Sequence, residues 1–133
     1  MDKSPSDQCS DWLIHSRSDL RLAKISLKDT QILPEDCTFH AQQCAEKALK
    51  ALLIAKSIEY PRTHSLEVLV GLLNERGMQI PETIDQAYIL TQYAVQTRYP
   101  GEWEPITRHE ARKAMELAEY ILVWVEGEIK QMV

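Results

Sequence analysis

The stretch "CTFHAQQCAEKALKALL" (37–53) is the densest helical signal in the chain. Its small apolar residues recur every three or four positions, and this spacing predicts one buried face of an α-helix. We expect the helix to begin at Pro34 or Glu35 and to end at Ser57, because the residue before Pro61 is pushed out of helical geometry. The predicted buried stripe is Ala41, Cys44, Ala45, Ala48, Leu52 and Ala55. The predicted exposed side is Gln42, Gln43, Glu46, Lys47 and Lys50.

Helical spacing continues on both sides of this stretch. Upstream, a helix is predicted from Asp7 to about Leu27. Downstream, a third helix is predicted to start near Thr63, a good N-cap, and to stop near Gly77. A fourth follows Pro81, with a predicted apolar face of Ile84, Ala87, Tyr88, Thr91, Ala94 and Val95.

The last helix is predicted from the pattern Thr107-x-x-Glu110, which is typical of a capping box at a helix N-terminus. Since no stretch alternates with period two, the sequence predicts an all-α protein. We expect an up-and-down antiparallel bundle of about five helices in a single domain, residues 1–133, with residues 1–7 frayed. The apolar excess of the second and last helices also suggests a surface that is buried in a homodimer.

Bulk composition limits the classes of partner. The chain has 15 Lys and Arg against 20 Asp and Glu, a net charge of −5, which argues against a general nucleic-acid binder. A local basic patch is still compatible with this balance. No apolar run approaches the ~18 residues that a membrane helix needs. With three cysteines, an odd number, and no secretory signal, the sequence predicts a reduced, cytoplasmic protein without a membrane partner.

Metal and nucleophile chemistry find little support in the sequence. Cys37, His40 and Cys44 have the spacing C-x2-H-x3-C, but structural zinc usually takes four ligands and no fourth is evident. Cys44 lies on the predicted buried stripe, where cysteine acts as a small hydrophobe. Glycine-rich phosphate loops and the G-x-S-x-G pattern are absent. We therefore predict no metal and no cofactor.

Polar and basic residues form the remaining cluster of interest. His40, Gln43, Lys47 and Lys50 line up along the second helix. "PRTH" (61–64) supplies Arg62 and His64 at a helix start, where free backbone donors favour anions. "TRYP" (97–100) supplies Arg98 and Tyr99. Together these residues could hold a phosphate, with Tyr99 or Trp103 stacking on a base, or they could be a solvated face with ordinary caps and ion pairs.

Several segments together resemble the HEPN domain family. They are "FHAQQCAEKALKALLI" (39–54), "PRTHSLEVLV" (61–70), "LTQYAVQTRYPG" (90–101) and "ITRHEARKAMELAEYIL" (106–122), with "DWLIHSRSDLRLA" (11–23) fitting the first helix. The resemblance implies an all-α bundle, often a homodimer, frequently encoded beside a minimal nucleotidyltransferase as a toxin–antitoxin pair. Many members cleave RNA, and others are linked to nucleotide binding.

One departure from the family pattern matters. Ribonuclease members carry an Arg followed after four to six residues by a His, and no Arg of this chain has a His at that distance. The next His after Arg98 is His109. The usual catalytic pair, and the modified tyrosine that accompanies it, therefore do not carry over.

The sequence leads to one main hypothesis and two alternatives. The main hypothesis is a non-catalytic partner of a minimal nucleotidyltransferase that binds a nucleotide or RNA. Lys47 and Arg98 would contact phosphate, His40 and His64 would make hydrogen bonds, and Tyr99 would stack. The first alternative is a metal-independent ribonuclease that uses Arg98 with a His from elsewhere: His40, His64 or His109. The second is a purely structural dimerisation module.

Overall fold

The computed structural model describes residues 3–95 and 104–132, and all regular structure in these two ranges is helical. Within these two ranges, five α-helices and one 3₁₀ helix follow each other. They are α1 (Pro5–Lys28), α2 (Pro34–Ala55), α3 (Leu66–Glu75), α4 (Glu82–Asp85), the 3₁₀ helix (Gln86–Tyr93) and α5 (Arg108–Gln131). The predicted all-α helical bundle is confirmed.

The long helices α1 and α2 run antiparallel. The Oγ of Ser16 donates a hydrogen bond of 2.7 Å to the carbonyl oxygen of Cys44, and Asp19 contacts His40 further along both helices. As residue numbers rise along α1, the numbers of their contact partners on α2 fall. This pairing decides which side chains of the two helices can share a site.

Helix α5 runs parallel to α2. The Sγ atoms of Cys37 and Cys44 approach the carbonyl oxygens of Ala111 and Ala118, and both pairs are 74 residues apart in sequence. A constant separation means that the two helices advance in the same direction. The shorter helices between residues 66 and 93 return the chain so that α5 can start beside the start of α2.

Helix α2 is the centre of the bundle, and the sequence misjudged one side of it. The predicted stripe residues Ala41, Ala45 and Ala48 are fully buried. Gln42 and Glu46 were predicted to be exposed, but they are buried as well, because α2 has neighbours on several sides. The width of the apolar surface on α2 is thus explained within one chain.

The start of α1 lies earlier than predicted. Ser4 is the N-cap, its Oγ accepting a hydrogen bond from the backbone N–H of Asp7, and Pro5 occupies the first turn. Proline suits that position because its fixed φ is helical and its missing N–H would have no partner there. Residues 5–7, predicted to be frayed, are therefore helical.

The fourth predicted helix differs in type. It is one turn of α-helix followed by a 3₁₀ helix, and its buried residues are spaced by three: Ile84, Ala87, Leu90 and Tyr93. A 3₁₀ helix has three residues per turn, so this spacing keeps one face toward the core. The face predicted with α-helical spacing was wrong at Tyr88 and Val95, which are exposed.

Helix α2 ends in a left-handed residue that is not glycine. Ser57 has φ 58°, and the next N–H, of Ile58, bonds back to the carbonyl of Leu53. This geometry is a Schellman-type cap, whose left-handed position favours glycine because a Cβ there is strained.

None of the helices in the described ranges is long and apolar enough to cross a bilayer.

Substituting Ser57→Gly is expected to stabilise the protein. Relief of the left-handed strain outweighs the extra freedom that glycine has in the unfolded chain, so we expect a gain of about 0.5–1 kcal/mol. Urea denaturation followed by circular dichroism measures it, with Ser10→Gly, at an exposed interior position of α1, as a control that should lose a similar amount. A loss of stability in Ser57→Gly would contradict the capping argument.

Candidate functional site

Two buried carboxylates organise the polar side of α2. The first is Asp19 of α1, which is brought against α2 by the antiparallel packing. His40 Nδ1 lies 2.9 Å from Oδ1 of Asp19, and Lys47 Nζ lies 2.6 Å from Oδ2. The side chain of Asp19 is 9% exposed, and those of His40 and Lys47 are 23% and 20% exposed. We call these three residues the Asp19 cluster.

The second carboxylate belongs to Glu46, whose side chain is 5% exposed. It accepts hydrogen bonds of 2.9 Å from Gln42 Nε2, Lys50 Nζ and His64 Nδ1. Gln43 extends the network by donating from Nε2 to Oε1 of Gln42, at 2.7 Å. We call these five residues the Glu46 cluster.

Opposing effects act on the pKa of Glu46. Burial acts to raise the pKa of this carboxyl, but the hydrogen bonds from Gln42, Lys50 and His64 favour the charged form and act in the opposite direction. The second effect prevails, and the pKa lies below its ordinary value. Glu46 is therefore an anion at neutral pH and holds Lys50 and His64 in place.

The imidazole orientations follow from the same contacts. Because an ionised carboxylate only accepts hydrogen bonds, Nδ1 of His40 and Nδ1 of His64 must each carry a proton. In a neutral ring, Nε2 is then the acceptor, and neither Nε2 makes a hydrogen bond within the described part of the chain. The His64 side chain is 68% exposed, so its ring is accessible to a ligand.

The two clusters together form one surface, which we call the polar strip. His40, Gln43, Lys47 and Lys50 are spaced by three or four residues along α2 and therefore share a face. His64 joins that face through Glu46. The structure thus brings together three of the predicted site residues, His40, Lys47 and His64. The other two, Arg98 and Tyr99, lie outside the described residues, as does Trp103.

Sequence reasoning missed the acidic half of the strip. Asp19 sits on the buried flank of α1, three residues after the buried Ser16, and a charged residue at such a position signals a paired group. Glu46 lies four residues after Gln42 and four before Lys50, the spacing of neighbours on a helix. Lys47 and Lys50 are mostly buried and so do not form a solvated face, but the ordinary ion pairs of that alternative interpretation are present.

The start of α3 does not offer the free donors that the sequence suggested. Ser65, not Thr63, is the N-cap, and its Oγ accepts from the N–H of Val68. Thr63 Oγ1 accepts from the N–H of Ser65, and Thr91 Oγ1 accepts from the N–H of Leu66. The protein's own hydroxyl groups therefore occupy these donors, and an anion at this end of the strip would depend on His64.

The cysteines and His40 do not converge. Cys37 and Cys44 turn toward the carbonyls of Ala111 and Ala118 on α5, whereas His40 turns toward α1. Over residues 3–95 and 104–132, no group of three or more His, Cys, Asp or Glu side chains is placed to hold a metal ion. The spacing C-x2-H-x3-C is explained by helix packing.

Burial also suppresses thiol reactivity. It raises the pKa of Cys37 to about 11, against a smaller opposite effect of the Arg108 guanidinium, and it raises the pKa of Cys44 to about 12 despite the hydrogen bond with Ser16. Only the thiolate is a nucleophile, so these thiols are inert near neutral pH. They act as small core residues.

A separate cavity of about 410 Å³ lies between the 3₁₀ helix and α5. The hydroxyl of Tyr93 donates to the carboxylate of Glu110 at its edge. Most of the cavity wall is apolar, and its lining residues include Gln86, Leu90, Leu117 and Tyr120. Lys113 is the cation among the lining residues. A phosphate would find fewer cations here than on the polar strip.

Comparison with known proteins identifies the family. The family model described as the HEPN domain matches residues 9–128, which is most of the chain. The chain belongs to the HEPN domain family. Its similarity to "Putative toxin MJ1304" of Methanocaldococcus jannaschii is 31% identity over 134 residues, covering 90% of this chain and 87% of that protein.

Two solved structures share the HEPN fold. ST0689, described as an archaeal HEPN homologue, superposes with a TM-score of 0.71 at 33% identity, covering 91% of this chain and 97% of the other. TT1696 from Thermus thermophilus gives a TM-score of 0.73 at 35% identity, covering 90% and 97%. Both structures therefore match this chain over nearly its full length. The resemblance to the HEPN family noted in the sequence is confirmed.

Proposed function

We propose that this HEPN protein is toxin-like and binds the phosphate of a nucleotide or of RNA on the polar strip. The observation that carries the proposal is the convergence of two lysines and two histidines on the buried carboxylates of Asp19 and Glu46. Side chains held in fixed rotamers lose little freedom on binding, which favours a preorganised site. The toxin-like assignment also draws on the similarity to the Methanocaldococcus jannaschii protein named as a toxin.

A partner accompanies this role in the proposal. As predicted from the family resemblance, the partner is a minimal nucleotidyltransferase in a toxin–antitoxin-type pair. Co-purification of this chain with the product of the neighbouring reading frame tests it. Recovery of a complex that contains a nucleotidyltransferase is the expected result, and the absence of such a neighbour or complex would contradict the partner proposal.

The substitution Lys47→Met tests the phosphate site. Methionine keeps the aliphatic stem but removes the ammonium group, so we expect about tenfold weaker binding of a single-stranded oligoadenylate. The slope of log affinity against log salt should fall by about one, because one phosphate contact is lost. Fluorescence anisotropy over a salt series measures both quantities.

Lys130→Met is the matched control, since Lys130 is an exposed cation at the far end of α5. It should leave affinity and salt slope close to wild type. Equal effects of Lys47→Met and Lys130→Met would show that binding depends on overall charge and not on the strip. Circular dichroism verifies that both variants are folded.

Ribonuclease activity is the second candidate function, and one observation favours it. Each histidine of the strip is bonded through Nδ1 to a buried carboxylate, an arrangement that orients Nε2 for proton transfer. An RNA cleavage assay without added metal tests it. Loss of cleavage in both Arg98→Ala and a His40→Ala or His64→Ala variant supports the enzyme, whereas wild-type protein that leaves RNA intact contradicts it.

Assembly and location complete the proposal. We propose a homodimer, supported by large apolar side chains that are exposed on α1 and α5, among them Ile14, Ile25 and Val123.

A purely structural dimerisation module predicts no rise in melting temperature with nucleotide or RNA, whereas ligand binding must raise the melting temperature. The free, buried cysteines favour a reduced cytoplasmic setting.

A further inference from the structure

A shallow hollow on α1 adjoins the polar strip. It has a volume of about 250 Å³ and is lined by Gln8, Asp11, Trp12 and His15. A cavity of about 150 Å³ accommodates benzene, so the hollow can take a planar ring system. None of its residues belongs to the two carboxylate clusters.

Helical geometry places the hollow on the same flank of α1 as Asp19. Gln8, Trp12, His15 and Asp19 are separated by four, three and four residues, so their side chains line one side of the helix. On the antiparallel α2, Lys50 lies opposite Trp12, and Lys47 lies opposite Asp19. The hollow and the strip are therefore neighbouring parts of one surface.

Trp12 is the physical link between them. The ammonium of Lys50 lies 5.5 Å from the centre of the Trp12 ring and 5.8 Å from that of Tyr60. The indole therefore packs against Lys50 and lies beside Tyr60, while remaining partly exposed. A rigid aromatic ring beside cations is what proteins present to a base that is attached to a phosphate.

We propose that the hollow beside Trp12 binds the nucleobase of the ligand whose phosphate lies on the polar strip. The base stacks on the accessible part of the indole, and Gln8, Asp11 and His15 border it, with Gln8 and Asp11 themselves bonded to Lys3. The ligand class is a nucleobase joined through ribose to phosphate, either a free nucleotide or single-stranded RNA. This inference rests on the proposed function.

Calorimetric titration of the full chain with three probes tests the inference. The probes are ribose 5-phosphate, 5′-AMP and a single-stranded oligoadenylate. Base stacking of ordinary strength makes 5′-AMP bind about tenfold more tightly than ribose 5-phosphate. Given that preference, an oligoadenylate that binds more tightly than 5′-AMP identifies RNA as the ligand, and equal affinities of these two probes identify the nucleotide.

Two substitutions of Trp12 make the test specific. Trp12→Leu should abolish the preference for 5′-AMP while leaving the affinity for ribose 5-phosphate unchanged, and Trp12→Phe, which keeps an aromatic face, should retain part of the preference. Equal affinity of wild-type protein for 5′-AMP and ribose 5-phosphate would overturn the inference. A parallel loss for both probes in Trp12→Leu would overturn it too.

Failure of the proposed function gives a different pattern. If Lys47→Met leaves the affinity for all three probes unchanged, the phosphate is not on the strip, and both the function and this inference are overturned. If none of the probes binds to the wild type, the same conclusion follows. Dependence on Lys47 without dependence on Trp12 overturns the base-binding inference alone.

Discussion

The substitution Glu46→Ala is expected to destabilise the protein by about 3 kcal/mol. It leaves the ammonium of Lys50, whose side chain is 11% exposed, without its counter-ion and removes the acceptor for Gln42 and His64. Breaking a buried ion pair by deleting one partner costs about 3–5 kcal/mol, and contacts of Lys50 with Trp12 and Tyr60 place this case at the low end. Urea denaturation measures the free energy of unfolding.

Glu116→Ala is the matched control, because Glu116 is an exposed glutamate within α5. Its effect should stay within about 0.5 kcal/mol. The double substitution Glu46→Gln with Lys50→Met should cost less than the sum of its single substitutions, since removing both charges leaves neither one unpaired. A Glu46→Ala variant as stable as Glu116→Ala would contradict the role of the cluster.

Stability should also depend on Glu46 in acid. Because the folded-state pKa of Glu46 is lowered, its contribution is present above the unfolded pKa near 4.5 and is lost as the pH falls through the lower folded value. From about pH 5 to pH 3, the wild type should therefore lose more stability than Glu46→Gln. Parallel pH profiles of the two proteins would contradict the assigned pKa direction.

The substitution Arg108→Met is expected to lower the free energy of unfolding by about 2–3 kcal/mol. The guanidinium donates to the carbonyl oxygens of Ser26, Leu27, Asp29 and Ile32, at 2.7–3.4 Å, and so closes the end of α1 and the turn into α2. Carbonyls at a helix end have no partner within the helix, and hydrogen bonds to charged donors contribute about 1.5–3 kcal/mol. The half-exposed position lowers the expected total.

Arg108→Lys separates charge from geometry. A lysine keeps the positive charge but lacks the planar fork of donors, so it should recover less than half of the lost stability. Arg112→Met, one turn further along α5 at an exposed position, is the control and should be nearly neutral. An Arg108→Met variant with wild-type stability would contradict this capping role.

The overall fold was predictable because it depends on hydrophobic spacing. Helical periodicity located α1, α2 and α5, and the pattern at Thr107 located the start of α5, where its Oγ accepts from the N–H of Glu110. The 3₁₀ helix was mistaken for an α-helix, because buried positions three apart also fit helical spacing over a short stretch. This segment packs mainly against α2 and α3, and local sequence does not specify that packing.

The candidate site was predictable only in part. His40, Lys47 and His64 were identified as a group from their motif positions. Asp19 was not, because its pairing with α2 depends on the antiparallel register of α1 and α2. Glu46 was not, because its contact with His64 depends on how the chain returns to α2 before α3 begins. A polar residue on a central helix can also be buried if its hydrogen bonds are complete, and a helical pattern alone cannot reveal this.

Chemical-shift mapping of the wild-type protein with a single-stranded oligoadenylate tests the central claim most directly. It needs no substitution and reports the ligand's position on the whole surface. If the ligand lies on the polar strip, the largest chemical-shift changes are expected at the imidazoles of His40 and His64, the amide group of Gln43 and the ammonium of Lys47. Changes confined to the cavity between the 3₁₀ helix and α5, around Lys113 and Tyr120, would contradict it.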